Sequence, residues 1–172
     1  MGQYDWVKKE IESELLDVFV DSYRLITGRT IKEIETSESP DFLAMIDGQR
    51  GGVEISELRV DAEPDPYAYV GEAWRIAEKK HISYTKHGRF TIPIILVLFA
   101  AQPPLYDFHE GIANLALEDF DGLGFSEVWF ADLSDEYFSS RDPRRPADLY
   151  GVTPERWRGF HRYGDWGRKP YG

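Results

Sequence analysis

The segment Ser39–Arg59 reads S-P-D-F-L-A-M-I-D-G-Q-R-G-G-V-E-I-S-E-L-R, two short apolar runs on either side of a glycine-rich reversal. Phe42–Ile46 and Val53–Leu58 are the runs, and Asp47-Gly48-Gln49-Arg50-Gly51-Gly52 lies between them. Asp-Gly and Gly-Gly supply the positive φ angles that reverse a chain, so the spacing predicts a β-hairpin. Asp41 opens the first strand behind Pro40, and Glu54 sits inside the second between Val53 and Ile55. Side chains alternate between the faces of an antiparallel pair, so the two acids can meet near one edge of the sheet. Converging carboxylates repel unless a cation or a proton lies between them. Hard divalent cations such as Mg²⁺ prefer oxygen ligands of this kind.

Working outward, 172 residues suit a single domain with a real core. Hydrophobic residues form 42% of the chain and aromatics 15%, a composition that argues against disorder. The chain has no cysteine, which excludes disulfides, thiolate catalysis and cysteine-rich zinc sites. The N-terminal residues lack the apolar stretch of a signal peptide, and Ile92–Ala101 is too short to span a bilayer. The expectation is a soluble, cytoplasmic protein without a membrane partner.

The net charge is −11, which weighs against tight passive binding of nucleic acid but leaves room for an enzyme that touches it locally. The charge is uneven. Residues 1–140 hold 12 Lys and Arg against 27 Asp and Glu, whereas residues 141–172 hold 8 against 4. We therefore divide the chain into a core over 1–135 and a basic, aromatic-rich extension over 136–172, expected to pack on that core. Arginines beside aromatics can bind single strands, but such a tail can equally pair with its own acidic body.

Before the hairpin, Asp5 to Ile26 has helical periodicity, with Val7, Ile11, Leu15, Val18, Ser22 and Leu25 on one stripe and Gly28 as the stop. Glu14 lies at the rim of that stripe, either as a solvated flank residue or as a third acid reaching toward the hairpin. Thr30–Glu35 alternates weakly, as a first strand or its approach. After the proline-rich linker Asp61–Pro66, Tyr67–His87 forms a second helix with Val70, Ala73, Trp74, Ala77, His81 and Tyr84 on one face and Lys80 at its edge. Ile92–Ala100 is apolar throughout and reads as a strand covered on both faces. Phe108–Phe120 reads as a helix, and Glu127–Ala131 as the last strand of a mixed sheet with helices on both sides. Thr153-Pro154 has the form of a helix start, with Thr153 as N-cap.

Pro40-Asp41, Glu54-Ile55-Ser56, the helix bearing Lys80 and Tyr84, and the apolar strand after it together resemble the PD-(D/E)XK nuclease-like superfamily. The resemblance covers Asp5 to Phe99, with a looser fit to Ala131. It implies an α/β, restriction-endonuclease-like core. It further implies Mg²⁺- or Mn²⁺-dependent hydrolysis of phosphodiesters, with Asp41 and Glu54 as metal ligands and Glu14 as the helix acid. The family places a lysine two residues after the glutamate, where this chain has Ser56. Some members carry that lysine on the following helix, and Lys80 is the residue here that could fill the role. Members often cut two strands as dimers, so the resemblance leaves a homodimer open.

Two other readings stand beside this one. A catalytically silent nuclease fold with an acidic body suits a basic protein partner. Alternatively both acids are structural, with Asp41 a turn residue and Glu54 paired to Arg50 or Arg59. No G-x-S-x-G turn, zinc-spaced histidine set, Walker A loop or dinucleotide fingerprint is present. His81 fits best as a core residue with one hydrogen bond.

Overall fold

The computed structural model describes residues 3–60, 65–88, 90–100, 105–132 and 147–161. Its elements are α1 (Gln3–Thr27), β1 (Ile31–Thr36), β2 (Phe42–Ile46), β3 (Gln49–Leu58), α2 (Pro66–Lys86), β4 (Ile94–Ala100), α3 (Leu105–Ala113), β5 (Glu127–Asp132), β6 (Leu149–Thr153) and β7 (Gly159–His161). The seven strands form one mixed sheet whose spatial order equals their sequence order. β1, β2 and β3 run antiparallel, β3, β4 and β5 parallel, and β5, β6 and β7 antiparallel again. The expected α/β class with a mixed sheet is therefore observed. No helix among the described residues is long and apolar enough to cross a membrane.

The hairpin has a two-residue loop. Ile46 pairs with Gln49, and Asp47 and Gly48 take positive φ of 49° and 84°, the left-handed pair such a tight reversal requires. The turn is shorter than the glycines suggested, because Gln49–Gly52 already belong to β3. Gly51 and Gly52 serve close packing instead. A Cβ on Gly52 would lie 2.4 Å from Pro40 Cγ, and one on Gly51 would lie 2.9 Å from the Pro93 carbonyl oxygen.

Each face of the sheet has its own core. Val53, Ile55, Ile95, Val97 and Trp129 pack under α1, whereas Leu96, Leu98, Val128 and Phe130 pack under α2 and α3. This alternation is the period-two signature of strands buried on both sides. α2 begins cleanly, since Asp65 accepts a hydrogen bond from Ala68 N at 2.9 Å and Pro66 occupies the first turn.

Four expectations need correction. α1 buries Glu12, Leu16, Phe19, Ser22 and Tyr23, while Ile11 and Leu25 stay 51% and 48% exposed. The helix is rotated by about one residue, roughly 100°, because Leu16, Phe19 and Tyr23 offer more apolar area than the β-branched stripe. Second, β5 is not the last strand. Residues 147–161 of the proposed extension add β6 and β7 to the sheet rather than packing on it. Third, Thr153 ends β6 and does not cap a helix: Pro154 is extended, and only a single 3₁₀ turn, Glu155–Trp157, follows. The expected helix over 108–120 is likewise two pieces, α3 and a 3₁₀ turn at Leu117–Gly122. The basic loop 141–146 and the end of the chain from 162 lie outside the described residues.

Candidate active site

β3 is long enough to serve two neighbours. Its first half pairs with β2 as far as Phe42↔Val53, and its second half pairs with β4 as far as Leu58↔Ala100. Beyond Val53 no strand among the described residues lies beside the edge that faced β2, and the backbone N–H of Ile55 needs another acceptor. Asp41, one residue before β2 begins, fills the gap: its Oδ2 accepts from Ile55 N at 2.9 Å. The same register places Asp41 opposite Glu54. The hairpin thus forks where its two acids stand.

Glu54 is only 7% exposed and points toward α2. Its Oε1 accepts from Lys80 Nζ at 2.8 Å, and its Oε2 accepts from the Tyr84 hydroxyl at 2.5 Å. Lys80 and Tyr84 lie one helical turn apart, so both reach a single carboxylate from one face of α2. Burial, followed by the bond to Glu54, pushes the Tyr84 hydroxyl far above its ordinary value, so it remains a neutral donor. Phe90 stacks on the Tyr84 ring at 5.1 Å and Phe125 meets its edge at 5.8 Å, which holds the donor in place.

The α1 acid that reaches the cleft is Glu12. Glu14 is exposed and is not part of the cleft wall, because the rotation of α1 carries it to solvent. Glu12 is 7% exposed, and among the described residues its Oε2 has no hydrogen-bond partner. Lys9 Nζ stands between Glu12 and Asp41, 3.4 Å from Glu12 Oε2 and 3.5 Å from Asp41 Oδ1. It donates to the carbonyls of Ser37 at 2.7 Å and Asp41 at 3.1 Å, and lies 5.1 Å over the Phe42 ring. Burial, and then repulsion from Asp41, raise the Glu12 carboxyl above its usual range, with Lys9 and Lys8 partly opposing the shift.

Glu12, Asp41, Glu54, Ser56 and Lys80 line one cleft of about 430 Å³, with Lys8, Ile11 and Phe99 among its other walls. Four of the five residues singled out in the sequence therefore meet, and Glu14 does not. Glu12 and Lys9 were missed, although Glu12 heads the series Glu12, Leu16, Phe19, Tyr23 at helical spacing. Glu54 pairs with Lys80 rather than with Arg50 or Arg59; Arg59 instead binds Glu57 at 3.1 Å. His81 makes the single bond expected of it, 2.7 Å from the Leu123 carbonyl.

Chemically the cleft sets three carboxylates, Glu12, Asp41 and Glu54, among three ammonium groups, Lys8, Lys9 and Lys80. Among the described residues, no group of three or more His, Asp or Glu side chains is arranged to hold a metal ion as it stands. Lys9 and Lys80 occupy the positions between and beside the acids. Comparison of the chain with protein-family models, with curated proteins and with solved structures gave no match in any of the three.

Proposed function

We propose that this protein is a divalent-metal-dependent phosphodiester hydrolase acting on nucleic acid, through a PD-(D/E)XK-like site whose lysine comes from α2. One observation carries the reading: Lys80 Nζ stands 2.8 Å from Glu54, beside the point where Asp41 meets the same strand. The order α1, three antiparallel strands, α2 and a parallel strand supports a restriction-endonuclease-like core, since it is the order the resemblance implies. The donor set suits Mg²⁺ or Mn²⁺. Its ligands are oxygens, each carboxylate oxygen keeps lone pairs to spare, and among the described residues Glu12 Oε2 is buried without a hydrogen bond.

Asp41 and Glu54 would hold the ion, with Glu12 in the role assigned from sequence to Glu14. Bound there, the metal supplies Lewis-acid stabilisation of phosphate charge and eases deprotonation of water. The remaining work belongs to the chain. Lys80 donates hydrogen bonds toward the cleft, orienting the attacking water and offsetting charge that builds on the phosphate. Ser56, where the family pattern has lysine, can order a water but brings no charge. Tyr84 fixes the Glu54 carboxylate, and Lys9 keeps Asp41 and Glu12 from repelling one another before the ion arrives.

The test combines Mn²⁺ titration with Mg²⁺-dependent cleavage of a panel of DNA and RNA substrates. Wild-type protein should bind and cleave. Asp41→Asn should do neither, and Lys80→Ala should bind metal without cleaving. Unchanged turnover in Lys80→Ala removes Lys80 from the scheme. A second reading is favoured by one feature: Lys9 and Lys80 already neutralise the acids, as they would in a silent scaffold that docks a basic protein. Absence of both metal binding and cleavage in the wild type would select it.

A further inference from the structure

We propose that a single strand of nucleic acid reaches this centre along the groove between the end of β3 and the outer face of α2, its phosphates held by Lys79 and Arg75 of α2 and by Arg59. The inference rests on the hydrolase reading and adds the path and form of the substrate. The groove encloses about 630 Å³ and shares Ser56, Glu57 and Lys80 with the catalytic cleft, so the two are continuous. Its helical wall runs from Glu72 through Arg75 and Lys79 to Ser83, positions that recur at helical spacing and span about 16 Å at 1.5 Å per residue. Arg75 and Lys79 stand four residues, about 6 Å, apart along that wall, close enough for neighbouring phosphates of one strand.

Charge points the same way. On a chain of net charge −11, this groove gathers Arg59, Arg75, Lys79 and Lys80 against only Glu57 and Glu72. The four cations are not equivalent. Arg75 is gripped by Glu72 at 2.9 and 2.6 Å, Arg59 by Glu57 at 3.1 Å, and Lys80 by Glu54 at 2.8 Å. Lys79 has no ion-pair or hydrogen-bond partner among the described residues, and it is exposed. It is therefore the ready phosphate contact, while Glu72 competes with phosphate for Arg75. The net charge of −11 makes such binding weak, local and salt-sensitive.

The competition gives the experiment a sign as well as a size. Fluorescence anisotropy with a short labelled single-stranded oligonucleotide, in metal-free low-salt buffer, should show binding by the wild type. Lys79→Ala should weaken it about fivefold, and the slope of log K against log salt should fall by about 0.7, the share of one phosphate contact on a single strand. Glu72→Gln should tighten it about twofold by releasing Arg75. Lys86→Ala, an exposed lysine of α2 outside the groove, should leave it unchanged. The proposal is overturned if the wild type does not bind, if duplex binds as well as single strand, or if Lys79→Ala and Glu72→Gln both match Lys86→Ala. Equal competition by poly-glutamate would point to an acidic protein instead and also overturns it. Cleavage measured in parallel separates the two readings. Mg²⁺-dependent cleavage with KM indifferent to Lys79→Ala defeats the groove alone, whereas Lys79-dependent binding without cleavage defeats hydrolysis alone.

Discussion

Glu54 and Glu127 are both strand glutamates sunk into the sheet, 7% and 3% exposed, yet their surroundings differ in kind. Glu127, at the start of β5, accepts from the Tyr23 hydroxyl at 2.7 Å, Trp129 Nε1 at 2.9 Å and Arg29 Nη1 at 2.5 Å. One carboxylate there meets one guanidinium and two neutral aromatic donors, and the Tyr23 hydroxyl is pushed far upward by burial and by Glu127. The charges balance, and the group ties α1 to β5. At Glu54 the donors come from α2 alone, and two further acids, Asp41 and Glu12, share the same cleft. Among the described residues Glu12 even lacks a hydrogen bond for one buried oxygen. Glu127 is an architectural tie, whereas Glu54 shares its cleft with Asp41 and Glu12, where repulsion from Asp41 helps to raise the Glu12 carboxyl and Lys9 and Lys8 only partly offset the shift.

The largest expected effect tests that contrast directly. Glu54→Gln should lower Mg²⁺-dependent cleavage on the order of 10³-fold, as loss of a directly acting charged group does, with little change in the urea midpoint. Glu127→Ala should do the reverse. Removing one partner of a buried ion pair costs about 3–5 kcal/mol, visible as an earlier urea midpoint, while any protein that stays folded should still bind Mn²⁺. If both variants lose the same property, the two glutamates are not different in kind.

A smaller effect links packing to the site. Gly52→Ala would bring a Cβ to 2.4 Å from the Pro40 ring, which cannot swing aside like a flexible side chain. Overpacking of this kind costs about 1–3 kcal/mol, and because Asp41 follows Pro40, stability and Mn²⁺ affinity should fall together. Normal metal affinity in a destabilised Gly52→Ala protein would separate the hairpin contact from the position of Asp41.

The smallest effect concerns Glu12. Its folded value lies above the ordinary glutamate range, so its contribution to stability is fully present at acid pH and is lost as pH rises through the raised value. Glu12→Gln removes that loss. The variant should be more stable than wild type at neutral pH by about 1 kcal/mol or less, since Lys9 and Lys8 already offset part of the cost of burying the charge, and the advantage should vanish on acidification. Thermal melts across pH give the answer. A wild type more stable than the variant at neutral pH would show that the Lys8 and Lys9 pairings outweigh burial.

How far the sequence carries can be judged element by element. The hairpin was legible because Asp-Gly fixes the sign of φ at the reversal, and β4 because nine residues from Ile92 to Ala100 hold no charge. α2 was legible with most of its inward face: Ala73, Ala77 and Tyr84 are buried, whereas Val70, Trp74 and His81 are half-buried and the buried Tyr69 was not foreseen. α1 was legible as a helix but not in rotation. Two stripes compete on it, and Glu12 on the winning one reads as a solvent residue until Lys9 and Asp41 stand beside it. β6 and β7 were not legible, because Leu149–Thr153 is five residues long with Gly151 at its centre and Gly159–His161 is only three.

The chain by itself determined the local geometry: where it turns, which segments are helix or buried strand, and that Asp41 and Glu54 face each other across a hairpin. These follow from φ preferences and hydrophobic period, which act over a few residues. Only the tertiary structure decided that Lys80 and Tyr84 share the Glu54 carboxylate, and that Glu12 rather than Glu14 completes the acid cluster. Those outcomes depend on how helices rotate and dock against the sheet, and docking is set by the summed apolar area of distant residues rather than by any local pattern.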